Sequence, residues 1–276
     1  VSVSAQGNGA AGVAGGPALL RLVTIPISHY CEKARWALDR RGLSYREEFH
    51  VQGIHRVAAR RAGAGPTVPV LVTPEGVIGE SELILRWVDA RTEPSERLFG
   101  GAAQELALCR RFDAELGPRG RRLMYVHMLA QRELALEYNN QGVARWEDRL
   151  VRWGWSSISS FLRRELEITP GIEREDEALV FAELDHVAAL LADGREYLCG
   201  ERFGAADLTF AALSASLLLP PEYGVRLPQP ELLAPDTAAL VRRAREHPAG
   251  AYALELFARH RRAPLASVSS ADRLGG

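Results

Sequence analysis

The chain has 276 residues, 47% of them hydrophobic and 25% charged, with a formal net charge of −1; that balance predicts two ordinary globular domains and excludes a mostly disordered chain. So even a charge gives no whole-molecule field for phosphate, and nucleic acid is not an expected partner. The longest apolar run, residues 208–219, is interrupted by Thr209, Ser214 and Ser216 and stops at Pro220, which is too short to cross a bilayer, so no membrane partner is expected.

Residues 1–16 are small, Gly- and Ala-rich and uncharged, and read as a flexible leader without the basic and apolar regions of a signal peptide. Residues 19–25 read as a buried strand, 26–28 as a turn, and 30–41 as a helix stopped at Gly42. A short strand follows at 44–49, then a polar, arginine-rich connection. Residues 68–72 form a strand entered through a proline, and Pro74-Glu75-Gly76 turns the chain into a second short strand at 77–78, giving a hairpin. Ser81 then opens a helix whose Leu83, Ile84, Trp87 and Val88 share an apolar face. The order βαβ then ββα is that of a thioredoxin-like α/β domain, assigned to residues 17–91.

Residues 92–101, with Pro94, Ser95 and a Gly pair, read as a linker. From 102 to 262 the pattern is helical, with helices expected at 102–116, 121–138, 143–167, 175–193, 205–218, 234–247 and 252–259. The fold class is therefore α/β plus all-α, a thioredoxin-like domain followed by a helical bundle. Residues 263–276 read as a flexible tail.

Lys33 is the only lysine, all other basic residues being arginine, which points to a GC-rich, bacterial genome. Cys31, Cys109 and Cys199 are odd in number and lack metal-ligand spacing; a reducing, cytoplasmic setting and no metal centre are expected.

Chemistry concentrates at Pro26-Ile27-Ser28-His29-Tyr30-Cys31. A hydroxyl and a thiol stand at a strand-to-helix turn, where free N–H groups and the helix dipole favour an anion. A hydroxyl hydrogen bond to a thiolate contributes roughly 1.5 to 3 kcal/mol, so thiol ionisation near neutral pH is expected there. By itself Ser-x-x-Cys reads first as a helix cap followed by a small buried residue. Its place after the first strand of a βαβ unit favours chemistry.

The stretch resembles the active-site turn of the glutathione transferase superfamily, in particular bacterial members with Ser or Cys at the start of the first helix. The resemblance covers residues 19–262 and implies glutathione, or another low-molecular-weight thiol, as cofactor. Ser28 takes the catalytic first position, His29 replaces the proline of related turns, and Cys31 takes the second-cysteine place. Ser28, Cys31 and His29 are the candidate catalytic residues. Thr67-Val68-Pro69-Val70-Leu71 is similar to the family's Val-Pro segment, which implies a cis peptide and a Val68 main chain facing the cysteinyl part of the tripeptide. Gly79-Glu80-Ser81 is similar to the family's acid-serine pair, with Glu80 for the γ-glutamyl ammonium and Ser81 for its carboxylate. Tyr30, Val68, Pro69, Glu80 and Ser81 form the implied thiol-binding set.

Phe203-Gly204-Ala205-Ala206-Asp207 is similar to the start of the family's buried C-terminal helix, with Asp207 capping from the third position. Arg245-Glu246-His247-Pro248-Ala249-Gly250 also matches bacterial members. The second substrate's pocket is expected between the turn and the first two bundle helices, where Met124, Tyr125, His127 and Met128, with Tyr138 and Asn139 further on, are available, although for any one of them bundle packing is the simpler role. Trp146, Trp153 and Trp155 are expected as core or dimer contacts.

The resemblance implies a transferase that adds a thiol to a small apolar electrophile, working as a homodimer. Three alternatives stay open: isomerisation or lysis by reversible thiol addition, thiol-disulfide reduction at Cys31, and a non-catalytic ligand- or partner-binding role.

Overall fold

The computed structural model describes residues 19–261; the expected leader at 1–16 and tail at 263–276 lie outside them. Strand β1 (Leu20–Thr24) runs parallel to β2 (Tyr45–Phe49) and antiparallel to β3 (Val70–Thr73), which pairs with β4 (Gly76–Gly79). The sheet order is β2-β1-β3-β4. The long connection that brings β2 parallel to β1 is helix α1 (His29–Arg40), which ends where Gly42 adopts φ 69°, the left-handed conformation that glycine adopts without a Cβ clash. Helix α3 (Ser81–Asp89) buries Ile84, Leu85 and Val88. This is the thioredoxin-like arrangement read from the sequence.

One element differs from that reading. The connection after β2, expected to be a polar loop, contains helix α2 (Ile54–Arg61). Its only fully buried residue is Ala59, and three of its eight residues are arginines, so it carries too little apolar periodicity to register as a helix.

The remainder is helical: α4 (Ala103–Arg111), α5 (Gly117–Met128), α6 (Arg132–Asn139), α7 (Arg145–Trp153), α8 (Trp155–Glu165), α9 (Ile172–Leu191), α10 (Ala205–Leu218), α11 (Pro235–Glu246) and α12 (Pro248–His260). A π-helical stretch, Phe112–Leu116, joins α4 to α5 without a break, where the sequence reading had a gap. The helix expected at 121–138 is two, α5 and α6, and that at 143–167 is divided at Gly154 into α7 and α8. Trp153 is 90% exposed and Trp146 59% exposed, so neither is a core residue; Trp155 packs beside Val51, Leu136 and Val151. Among the described residues no helix is long and apolar enough to cross a membrane.

Helix α10 lies at the centre, buried at every position but Ser216. It packs on α1, α4, α5, α11 and α12 and is capped as expected, the Asp207 carboxylate accepting from Gly204 N at 2.8 Å.

The two halves meet along α1. Tyr30 hydroxyl donates to the Asp113 carbonyl (2.8 Å), Lys33 Nζ to Asp113 Oδ1 (2.7 Å) and Trp36 Nε1 to the His260 carbonyl (3.1 Å). Beneath them lies a buried charge cluster in which Arg35 Nε donates to Glu47 (2.7 Å) and Arg261 Nε to Glu32 (2.6 Å), while Arg261 is also ion-paired with Asp39 (2.8 Å). The orientation of α1, and therefore of its first residues, is thus fixed by both halves.

Candidate active site

Strand register collects the sequence-predicted groups at one end of the sheet. β1 ends at Thr24, and the turn after it leads to Ser28 at the start of α1. Because β3 is antiparallel to β1 with Val70 opposite Val23, its entry residues Val68 and Pro69 come to that same end. β4 finishes there too, with Gly79 opposite Val70, and Glu80 and Ser81 follow as the start of α3. The Val68–Pro69 peptide is cis, as the resemblance implied. Two helix N-termini with unpaired N–H groups therefore face one strand edge, the arrangement that receives anions.

Ser28 is the N-cap of α1, and its hydroxyl oxygen accepts from Cys31 N at 3.4 Å. That bond occupies a lone pair and leaves the hydroxyl proton to donate. Ser28 is half-buried and lines a cavity of about 440 Å³ between the two halves. Met124, Tyr125 and Met128 of α5 line the same cavity, as expected from sequence. They are joined by Arg56 and Arg60 of α2 and by walls the sequence reading did not reach: His55 of α2, Phe161 and Leu162 of α8, and Leu219 and Tyr223 after α10. No local signal marks these last five, because their facing depends on how separate helices pack.

The loop after β2 is fastened to the bundle by the buried Glu147, which accepts from Val51 N (2.9 Å) and bonds His50 Nδ1 (2.7 Å). Gln52 then reaches the cavity, donating from Nε2 to the Tyr125 hydroxyl oxygen and to Asn139 Oδ1, both at 2.5 Å. Burial pushes the Tyr125 phenol up to about 12, with Arg121 opposing it, so it stays protonated.

Other candidates are placed differently from the sequence reading. Cys31 is 0% exposed, and burial pushes its thiol up to about 11 despite Arg35 and the Ser28 hydroxyl; desolvation outweighs the helix-end field, so the expected activated thiol is not found at this residue. His29 is 3% exposed and on the cavity wall, but burial, then Arg121 and Lys33, push it down to about 3. An imidazole held neutral in this way brings no positive charge to the cavity wall near neutral pH. Tyr30 spends its hydroxyl on the Asp113 carbonyl and supports the α1 interface. His127 lies off the cavity wall; burial lowers its pKa, and Glu177, Glu173 and Asp236 oppose that shift, which places it beside α9 and α11. Glu80 is exposed with φ 66°, and Ser81 is buried.

Residues 22–96 match the family model of the glutathione S-transferase N-terminal domain. No curated protein matches the chain. Among solved structures, a glutathione S-transferase of Ceriporiopsis subvermispora, crystallised in complex with glutathione, superposes with TM-score 0.59 at 18% identity over 90% of this chain and 100% of that one. A glutathione transferase from Phanerochaete chrysosporium gives TM-score 0.59 at 19% identity, covering 88% of this chain and 97% of that chain. A glutathione S-transferase from Xanthobacter autotrophicus gives 0.54 at 17%, covering 87% and 93%. At these identities the likeness establishes the fold. The chain has the glutathione S-transferase architecture, a thioredoxin-like domain followed by a helical one.

Proposed function

We propose that the chain is a glutathione-dependent transferase in which the tripeptide lies along the strand edge and its sulfur, ionised beside Ser28, attacks a small electrophile held in the cavity. The Val68 main chain beside Pro69 faces the cysteinyl part, Glu80 takes the γ-glutamyl ammonium, and Ser81 with the N-terminus of α3 takes its carboxylate. The Ser28 hydroxyl donates to the thiolate, lowering its pKa from the ordinary thiol value of about 8.5. Met124, Tyr125 and Met128 enclose the second substrate, so the reaction is accelerated by positioning and by sulfur ionisation. Addition, substitution, and isomerisation by reversible addition all use this arrangement. Reduction through Cys31 is disfavoured, because that thiol is buried and protonated. A cytoplasmic homodimer belongs to the same proposal; the exposed Val77 of the edge strand β4 and Leu83 of α3 are apolar side chains a second copy would cover.

The observation that carries this reading is the position of Ser28, the N-cap of α1, on the cavity wall and at the sheet end that also holds Val68 and Ser81. The test is an ultraviolet titration of the bound glutathione thiol. Ser28→Ala is expected to raise that pKa by about 1 to 2 units and to slow turnover roughly 10- to 100-fold, the loss of one hydrogen bond to a charged group. An unchanged thiol pKa and unchanged turnover remove Ser28 from the chemistry.

A further inference from the structure

The cavity wall carries a charge imbalance that thiol activation does not use. Three arginines line it, Arg56, Arg60 and Arg121, against one carboxylate, Glu165, which pairs with Arg56. Arg60 and Arg121 make no ion pair among the described residues. The two histidines of the wall add no charge: burial holds His29 down at about 3 and His55 at about 4, with Arg121 and Arg56 acting in the same direction. Two guanidinium groups, on residues that are both solvent-exposed, thus stand on a mixed polar and apolar wall without an ion-pair partner among the described residues.

The two stand on different elements. Arg60 is on α2, near Pro66 and Thr67 at the strand edge, where the tripeptide is proposed to lie, and is available to its glycyl carboxylate. Arg121 is on α5, where Arg121, Met124, Tyr125 and Met128 fall at i, i+3, i+4 and i+7, one helix face. That face presents a cation at its start and then the chain's only two methionines, with a phenol between them. The Tyr125 hydroxyl accepts from Gln52, so its own proton is left to donate. A cavity with apolar walls and a few convergent polar donors selects a ligand of the same pattern.

We propose that the second substrate is an apolar molecule bearing a carboxylate, which Arg121 and the Tyr125 hydroxyl hold while the body of the molecule packs on Met124, Met128, Leu162 and Leu219. This rests on the proposed transferase reading and names the substrate class for it. Arginine matches a carboxylate with two parallel donors, which a neutral analogue does not engage in the same way.

The test compares biphenyl-4-carboxylate with its methyl ester by calorimetry on the full chain, with glutathione titrated separately. The carboxylate is expected to bind at least about tenfold tighter than the ester, and Arg121→Gln to bring that ratio close to one, with Arg121→Lys retaining part of it. Thermal unfolding of each variant shows that it is folded. Equal binding of acid and ester by the unsubstituted protein overturns the proposal, as does a ratio that survives Arg121→Gln. Loss of glutathione affinity in that variant, with the ratio kept, assigns Arg121 to the tripeptide and overturns it as well. A carboxylate preference in a protein that fails to bind glutathione leaves the Arg121 site standing and removes the thiol reading instead.

Discussion

His29 shows how an ionisable residue beside the site registers in stability. Its pKa is about 3 in the folded chain, lowered by burial first and then by Arg121 and Lys33, against about 6.5 when unfolded. Between those values the unfolded chain binds a proton that the folded chain refuses. This contribution to stability is complete above pH 6.5 and is lost as pH falls, by about 1.4 kcal/mol per pH unit. His29→Phe, which keeps an aromatic ring in place, is expected to flatten that part of the slope in urea unfolding between pH 6 and pH 4. A slope equal to that of the unsubstituted protein would mean that the imidazole is not held neutral. Cys31 answers to the same physics with the opposite charge sign, since burial favours its neutral thiol. Iodoacetamide is therefore expected to label Cys31 only in denaturant, as read by peptide mass spectrometry, and Cys31→Ala to keep the proposed glutathione-dependent turnover within about threefold. Rapid labelling of Cys31 in the folded chain would restore it as a nucleophile.

At the scale of elements, the central helix depends on one carboxylate. Asp207 accepts from Gly204 N (2.8 Å) and Leu198 N (2.9 Å), both buried, and from the partly buried Tyr252 hydroxyl (2.6 Å). Asp207→Ala leaves two buried N–H groups without acceptors at roughly 1 to 3 kcal/mol each, so a loss of about 3 kcal/mol or more is expected. Asp207→Asn keeps one oxygen acceptor and should cost less; a melting temperature equally low for both would make the charge, not the acceptor count, the deciding property. This helix was legible in the sequence because its start signal is local, as were α1 with Gly42 and the hairpin with Pro74-Glu75-Gly76. What sequence reading missed lacks such signals. Helix α2 presents a single buried alanine among arginines, and the run from α4 to α5 crosses Gly117 and Pro118, which read as a break. The π-helical stretch changes the bonding register immediately before Pro118, and a proline in the first turn after such a change has no N–H that the helix needs. Of the candidate site, the strand-edge residues were legible from motif spacing, whereas Phe161, Leu219 and Tyr223 reach the cavity only through packing between distant helices.

Over the whole molecule, the two halves are joined by the buried cluster at α1. Three carboxylates, Glu32, Asp39 and Glu47, share two guanidinium groups, Arg35 and Arg261. Arg261 and Glu32 are both 0% exposed in their side chains and come from opposite ends of the described chain. Glu32 also accepts from Gly224 N (3.1 Å), next to Tyr223, whose hydroxyl donates to the Ile27 carbonyl (3.2 Å) in the turn that presents Ser28. Arg261→Ala removes the partner of two carboxylates that water cannot reach, and breaking a buried pair from one side costs about 3 to 5 kcal/mol. Chemical unfolding should show that loss, and the proposed glutathione binding should weaken with it because the Ser28 turn is no longer braced from the helical side. Discharging the cluster by combining Arg261→Met with Glu32→Gln and Asp39→Asn should recover most of the stability. The pH dependence separates this account from a mere packing defect. Burial already raises the Asp39 pKa while Arg261 lowers it, so without Arg261 the carboxyl takes a proton at higher pH, and the gap between Arg261→Ala and the unsubstituted protein should narrow on acidification. A gap that stays constant from pH 8 to pH 5 would show that Arg261 acts through its volume and not through its charge.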